Sequence, residues 1–313
     1  MSSAQSPRIV ALAGGIGAAR FLRGLVRAVE PSDIVVIANT GDDLRLHGLH
    51  VSPDLDTICY TLGGGVHPSQ GWGRADETFT VAAELEHRYG EPRWFALGDR
   101  DLATHLVRTR HLTDGGTLSQ ATARIAAAWG LGFRLLPMSD QQVTTRIHTA
   151  DGRALHFQEW WVGERADPEV TGVEFEGVER AGPAPGVLEA IGTADVVLLC
   201  PSNPVVSLGT ILAVPSVREA VAARTVVGVS PIVGGRVVRG MADRLLPVWG
   251  LETSAAGVAA GYADLLDGWV IDDADRDAAE TIEGTGVRVA VTDTIMDDPD
   301  TATALARTAM ELA

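Results

Sequence analysis

Gly14-Gly15-Ile16-Gly17-Ala18-Ala19-Arg20 follows directly on the apolar run 8–13. A glycine turn between a strand and a helix lets an anion approach the backbone, where free N–H groups and the helix dipole favour negative charge. Gly14, Gly15 and Gly17 are therefore candidate phosphate contacts. The spacing matches only part of the dinucleotide fingerprint. Arg20 stands where the third glycine would be, and Asn39 and Thr40 occupy the place of the ribose-binding acid. A glycine turn serving only tight strand–helix packing is the competing reading.

Two acidic stretches come next, Asn39-Thr40-Gly41-Asp42-Asp43 and Ser52-Pro53-Asp54-Leu55-Asp56-Thr57. Carboxylates collected beyond a strand end suit a hard cation such as Mg²⁺, which takes one or two of them together with substrate phosphates. Alternatively, Ser52 caps a helix, Pro53 fills its first position and Asp54 complements its dipole. Asp99 in Gly98-Asp99-Arg100-Asp101 reads as an N-cap, while Arg100 is placed to clamp phosphate. In Pro201-Ser202-Asn203-Pro204 the Asn203 amide can read a base or ribose edge, or simply make a turn. His105 reads as a packed residue. Trp160-Trp161 reads as hairpin packing, with stacking on a flat heterocycle as the alternative. Neither a G-x-S-x-G elbow nor an HExxH pair is present.

Composition narrows the chemistry. The formal charge is −16, which argues against broad nucleic-acid binding. All 25 basic residues are arginine, so a phosphate-gripping P-loop lysine is excluded. Phosphate must then be held by backbone N–H groups, arginine or a metal ion. Residues 1–7 have neither a basic head nor an apolar core, and no run is long enough for a membrane span. Cys59 and Cys200 lie in apolar surroundings without metal spacing, so the cytoplasm is the expected compartment.

The elements that must position these residues alternate. Strand character at 8–13, 34–38, 94–97, 133–136, 195–199, 225–229, 269–271 and 287–291 is separated by helical patterns, among them 77–89 and 102–109. Thr117 with Gln120 has capping-box spacing. This rhythm predicts an α/β fold with a doubly wound, mostly parallel, Rossmann-like sheet. Stretches 143–148 and 154–161 flank Asp151-Gly152, and 170–178 alternates, so 140–180 is expected to be a small antiparallel excursion within a single domain spanning 1–313.

The ordered motifs GGIGAARFLRGL, NTGDD, SPDLDT, TLGGG, GWGRADET, LGDRDLATHL, LLPMSD, HFQEWWV, PSNPVVS and GVSPIVGG resemble the 2-phospho-L-lactate transferase family of coenzyme F-420 biosynthesis over residues 8–310. LRLHG, TLGGG and the tandem tryptophan resemble its actinobacterial phosphoenolpyruvate transferase branch. The resemblance implies Mg²⁺-dependent transfer of a phosphoenolpyruvyl or phospholactyl group from a guanosine diphosphate-linked donor to the deazaflavin Fo, releasing GMP, by a homodimer. It further implies guanosine nucleotide on Gly14, Gly15, Gly17, Ser202 and Asn203. Metal and attacking hydroxyl would lie at Asp42, Asp54 and Asp56, with Fo near Asp54 and Arg100. The division between metal ligand and base stays open. The alternatives are a regulatory nucleotide-sugar-binding protein of the same superfamily and an NAD(P)-dependent oxidoreductase. The first is disfavoured by Leu44-Arg45-Leu46-His47-Gly48 after the acids, and the second by the broken fingerprint.

Overall fold

A computed structural model describes residues 7–313; residues 1–6, which carry most of the stretch read as lacking a leader, lie outside the described residues. Seven strands form the main sheet: β1 (Ile9–Ala13), β2 (Ile34–Ala38), β3 (Arg134–Pro137), β4 (Val196–Leu199), β5 (Val226–Val229), β6 (Gly268–Asp272) and β7 (Arg288–Thr292). All pair in parallel, in the spatial order β7-β6-β5-β4-β1-β2-β3. The expected doubly wound sheet is therefore present. Its central strands are continuously apolar because helices cover both faces. Along β1 the side chains alternate, Val10 and Leu12 packing into one core and Ile9, Ala11 and Ala13 into the other.

Helices α1 (Gly15–Ala28), α2 (Pro53–Leu62), α3 (Thr80–Tyr89), α4 (Asp101–Thr113) and α5 (Leu118–Ala128) follow one another before β3. Helix α1 crosses the last helix, Pro299–Glu311, so closely at Gly24 that a Cβ there would meet Ala302 O at 2.1 Å. The capping box of Thr117 and Gln120 is formed at the start of α5. Ser52 occupies the N-cap position of α2 with Pro53 in its first turn, but its hydroxyl caps nothing there and donates instead to Asp43.

Three local expectations are corrected. Residues 94–97 are not a strand; flanked by Pro92, they run as coil, and Leu97 packs with a hairpin that the residue pattern had not suggested, Leu44–Leu46 against Leu49–Val51. That hairpin turns through His47 and Gly48, both at positive φ, as the tightest hairpin turns require. The antiparallel sheet at Thr144–Thr149, Ala154–His156 and Val170–Glu176 is present, but its second strand stops at His156. The chain then makes a π-helical turn, Glu159–Gly163, which buries Trp160 completely and lets its indole N–H donate to Pro168 O at 3.0 Å. Trp160 is a core residue with no face left for a heterocycle. Among the described residues, no helix is long and apolar enough to cross a membrane.

Candidate active site at the switch between two halves of the sheet

The chain moves outward from β1 to β2 and β3, then returns to place β4 on the other side of β1. That reversal opens a crevice beyond the carboxyl ends of β1 and β4, where open α/β sheets bind ligands. Two predicted loops meet there. The Gly14 amide donates to Ser202 Oγ at 3.0 Å, and a Cβ on Gly17 would meet Pro201 O at 2.2 Å. Gly15 adopts φ +72°, the left-handed region that glycine occupies without strain. The first turn of α1 carries neither an acidic residue of its own nor a side-chain cap from Gly14; the side chains that meet its leading amides come from elsewhere, Ser202 at Gly14 and Asp54 at Gly15.

Asp54, in the first turn of α2, reaches the same point. A Cβ on Gly14 would stand 2.8 Å from Asp54 Oδ2 and 2.6 Å from Ser207 Cβ, so only glycine lets the three segments converge. Asn39, at the end of β2, holds the arrangement. Its Nδ2 donates to Asp54 Oδ2 at 2.9 Å while its Oδ1 accepts from the Gly41 amide at 2.9 Å. The residue found in place of a ribose acid is therefore the bracket that orients a carboxylate, a role its sequence position alone did not disclose.

Asp42 is also buried. Burial first, then the charges of Asp54 and Asp43, hold its carboxyl well above the usual carboxylate range despite hydrogen bonding from Asn39 and Gln158. Burial likewise pushes Asp54 up to about 6, with the Asn39 and Gly15 amides pulling the other way. The two acids thus face one another in a poorly solvated place. Asp42 Oδ1, Asp43 Oδ1, Thr40 Oγ1 and Thr145 Oγ1 are buried without a hydrogen-bond partner. Orphaned polar atoms in such number mark a surface shaped for a polar ligand. Asp43 plays a supporting part: its Oδ2 accepts from Ser52 Oγ at 2.6 Å and contacts His50 Nε2 at 2.9 Å. Its carbonyl meets His156 Nε2 at 3.1 Å, and burial pushes that imidazole below the usual histidine range.

Asp56 is not brought into this group. Two positions along α2 from Asp54, it points to a different face, where the guanidinium of Arg108 engages both of its oxygens. His105 Nδ1 lies 3.6 Å from the same carboxylate, and its Nε2 lies 3.2 Å from Asp101, which accepts from the Tyr60 hydroxyl. This ion-pair network is almost wholly buried and ties α2 to α4. His105 is packed, as expected, and Arg108 was not anticipated; its partner is 52 residues away, too far for any local spacing rule.

Arg100 also stands apart. It is half exposed, its guanidinium lies 3.3 Å from Ala75 O and 3.8 Å from Asp76, and its backbone amide is taken by Glu77. Asp99 is a cap, though of α3 rather than of α4: it accepts from the Thr80 and Val81 amides and the Thr78 hydroxyl. Glu77 returns the favour at the start of α4, accepting from the Arg100 and Asp101 amides. Asn203 Oδ1 accepts from the Val205 and Val206 amides, which leaves its amide hydrogens uncommitted to the turn.

Among the described residues, no three His, Cys, Asp or Glu side chains form a ready metal cage. The donor set nevertheless suits a hard cation completed by phosphate oxygens: two buried carboxylates that repel one another, one with an orphaned oxygen, beside a glycine turn.

Comparisons with known proteins agree with this arrangement. Solved structures of a UPF0052 family protein from Bacillus halodurans superpose with a TM-score of 0.65 at 15–16% identity, covering 98% of this chain and 99–100% of theirs, which speaks for the fold. Proteins named phosphoenolpyruvate transferase are 55% identical in Kitasatospora aureofaciens and in Thermobifida fusca, with 98% of each chain covered. One of the same name in Mycolicibacterium smegmatis is 43% identical over the same shares. The sequence pattern of the 2-phospho-L-lactate transferase CofD family matches residues 9–305, and the chain belongs to that family.

Proposed function

We propose that the chain transfers a phosphoenolpyruvyl group from a guanosine diphosphate-linked donor to the hydroxyl of the deazaflavin Fo, releasing GMP, in a Mg²⁺-dependent reaction of coenzyme F-420 biosynthesis. The family supports the transferase class, and the name shared by relatives at 55% identity supports the enolpyruvyl donor over the lactyl one. The observation that carries the reading is the convergence of Gly14, Ser202 and Asp54 at one point. It supports the reading because a diphosphate held along the glycine turn would lie beside a carboxylate that can take an alcohol proton.

The donor's phosphates lie along Gly14, Gly15 and Gly17, with Ser202 still able to donate its hydroxyl proton. The Asn203 amide hydrogens face the nucleoside. Asp42 and Asp54 hold the metal and orient the attacking hydroxyl; Asp56 supports α2 and touches neither. When bound, Mg²⁺ screens the diphosphate charge and stabilises the leaving phosphate. The acceptor oxygen forms a bond to the phosphorus bearing the three-carbon unit, the bond from that phosphorus to GMP breaks, and the hydroxyl proton passes to Asp54 or Asp42. Arg100 is assigned to the outer part of the acceptor, and the working unit to a homodimer, which sedimentation checks.

Enolpyruvyl and lactyl groups differ by two hydrogens, so the pocket must sort them by planarity. Such shape differences are worth about 1–3 kcal/mol. Supplying both donors in competition with Fo and Mg²⁺, and weighing the products by mass, tests the whole reading. A mostly unsaturated product is expected. A saturated one overturns the donor, and full turnover in excess chelator overturns the metal.

A further inference from the structure

Arg20, the residue in the third-glycine position, plays no part in the chemistry above. Helix α1 carries it under the tip of the 66–74 loop, and Arg239, which follows a short hairpin beyond β5, reaches the same place. A methyl group built on Gly71 would lie 3.2 Å from Ile16 Cγ2, 3.3 Å from Arg239 Nη1 and 3.7 Å from Arg20 Nη2. Two guanidinium groups from distant parts of the chain are thus gathered around one point, one turn along α1 from the glycine turn.

The loop that roofs them is held in place. Arg74 stacks 4.5 Å over the Trp129 ring and 5.2 Å over that of Tyr60. The His67 amide donates to Gly73 O, the Gly71 amide to His67 O, and Val66 bridges to Arg74. Gly71 and Gly73 both adopt positive φ, and Trp72 between them is half exposed.

The chain has 41 acidic residues against 25 arginines. Arg108 and Arg100 lie against Asp56 and Asp76. Among the described residues, however, neither Arg20 nor Arg239 has a carboxylate oxygen within the 4.0 Å of an ion pair. Two like charges held together in an acidic protein, and paired with none of its many acids, are suited to an anion from outside. The planar fork of arginine matches carboxylate and phosphate oxygens in particular.

We propose that Arg20 and Arg239, roofed by Gly71, form an anion seat beside the first turn of α1 that takes a phosphate or carboxylate group. Which anion sits there follows from the transferase reading, since the donor carries both a diphosphate and a carboxylate; the seat itself does not depend on it.

The test uses the full chain as wild type, R20Q, R239Q, R20K and, as a control at an exposed arginine, R180Q. Each is titrated calorimetrically at low ionic strength with GDP and, separately, with phosphoenolpyruvate, after thermal melting has shown it folded. R20Q and R239Q should each weaken at least one ligand by about tenfold, the scale of one lost charge-assisted hydrogen bond, with R20K between them and wild type. Loss for GDP assigns the seat to the diphosphate; loss confined to phosphoenolpyruvate assigns it to the carboxylate. Unchanged affinities overturn the proposal, as do losses no larger than in R180Q, or a wild-type chain that binds neither anion. Product formation from Fo is measured in parallel: no product alongside Arg20-dependent anion binding would sink the transferase reading and leave the seat standing.

Discussion

At the scale of single residues, the two acids of α2 separate into a working carboxylate and an anchoring one. Asp54 faces the glycine turn, whereas Asp56 is consumed by Arg108. Their neutral variants should therefore fail in different ways. Asp54→Asn and Asp42→Asn remove a buried charge from a crowded acidic place, so the ligand-free protein should melt no lower than wild type. Their transfer rates should nonetheless fall by more than about a hundredfold, beyond the usual loss of an outer-shell partner at a metal site. Wild-type-like turnover in either variant would remove these residues from the chemistry. Arg108→Met behaves in the opposite sense. It strands the Asp56 carboxylate in the core, a defect that costs about 3–5 kcal/mol, and chemical denaturation should show it directly. An Arg108→Met chain as stable as wild type would show that the pair does not anchor α2.

At the scale of elements, α3 and α4 exchange caps: Asp99 serves the start of α3 and Glu77 the start of α4. The Thr78 hydroxyl and the Val81 and Thr80 amides hold the Asp99 carboxyl down to about 2. A carboxylate with a lowered folded value stabilises the fold above its unfolded value, near 3.9, and that contribution disappears as pH falls through the folded value. Between about pH 4 and pH 2 the start of α3 should loosen, and protection of the Thr80 and Val81 amides against hydrogen exchange, taken relative to their intrinsic rates, should fall there before the main sheet responds. Asp99→Asn should shift that acid dependence, and an unchanged profile would show that another group governs it. Much of the element plan was legible in the residues. The strands of the main sheet are short, β-branched and bounded by turn residues, and Thr117 with Gln120 announces α5 outright. The failures share a cause. Residues 94–97 have strand composition but use their apolar side chains to pack on the 44–51 hairpin rather than to pair with a strand, and Trp160 turns out of the hairpin into the core. The glycine turn and the aspartates near it were visible as types at spacings. That Asn39 brackets Asp54, and that Asp56 belongs to Arg108, depends on the folding of α2 against β2 and α4, which no local pattern encodes.

At the scale of the whole molecule, an acidic protein binds anions against its own field. Its net charge of −16 repels a guanosine diphosphate approaching from solution, although the glycine turn attracts it at close range. Raising ionic strength from low to physiological should therefore speed the association of GDP, as screening shortens the reach of the repulsion to about 8 Å. Stopped-flow fluorescence checks the sign, and slower association at higher salt would mean that local arginines, not the overall field, steer the ligand. The strand order has a consequence of another kind, for synthesis on the ribosome. Gly14 is made 188 positions before its partner Ser202, and α1 well before residues 299–311, against which it packs at Gly24. The glycine turn thus acquires its final surroundings only long after it is translated. Until β4 is made, a nascent chain carries β1, an interior strand of the finished sheet, without one of its two neighbours.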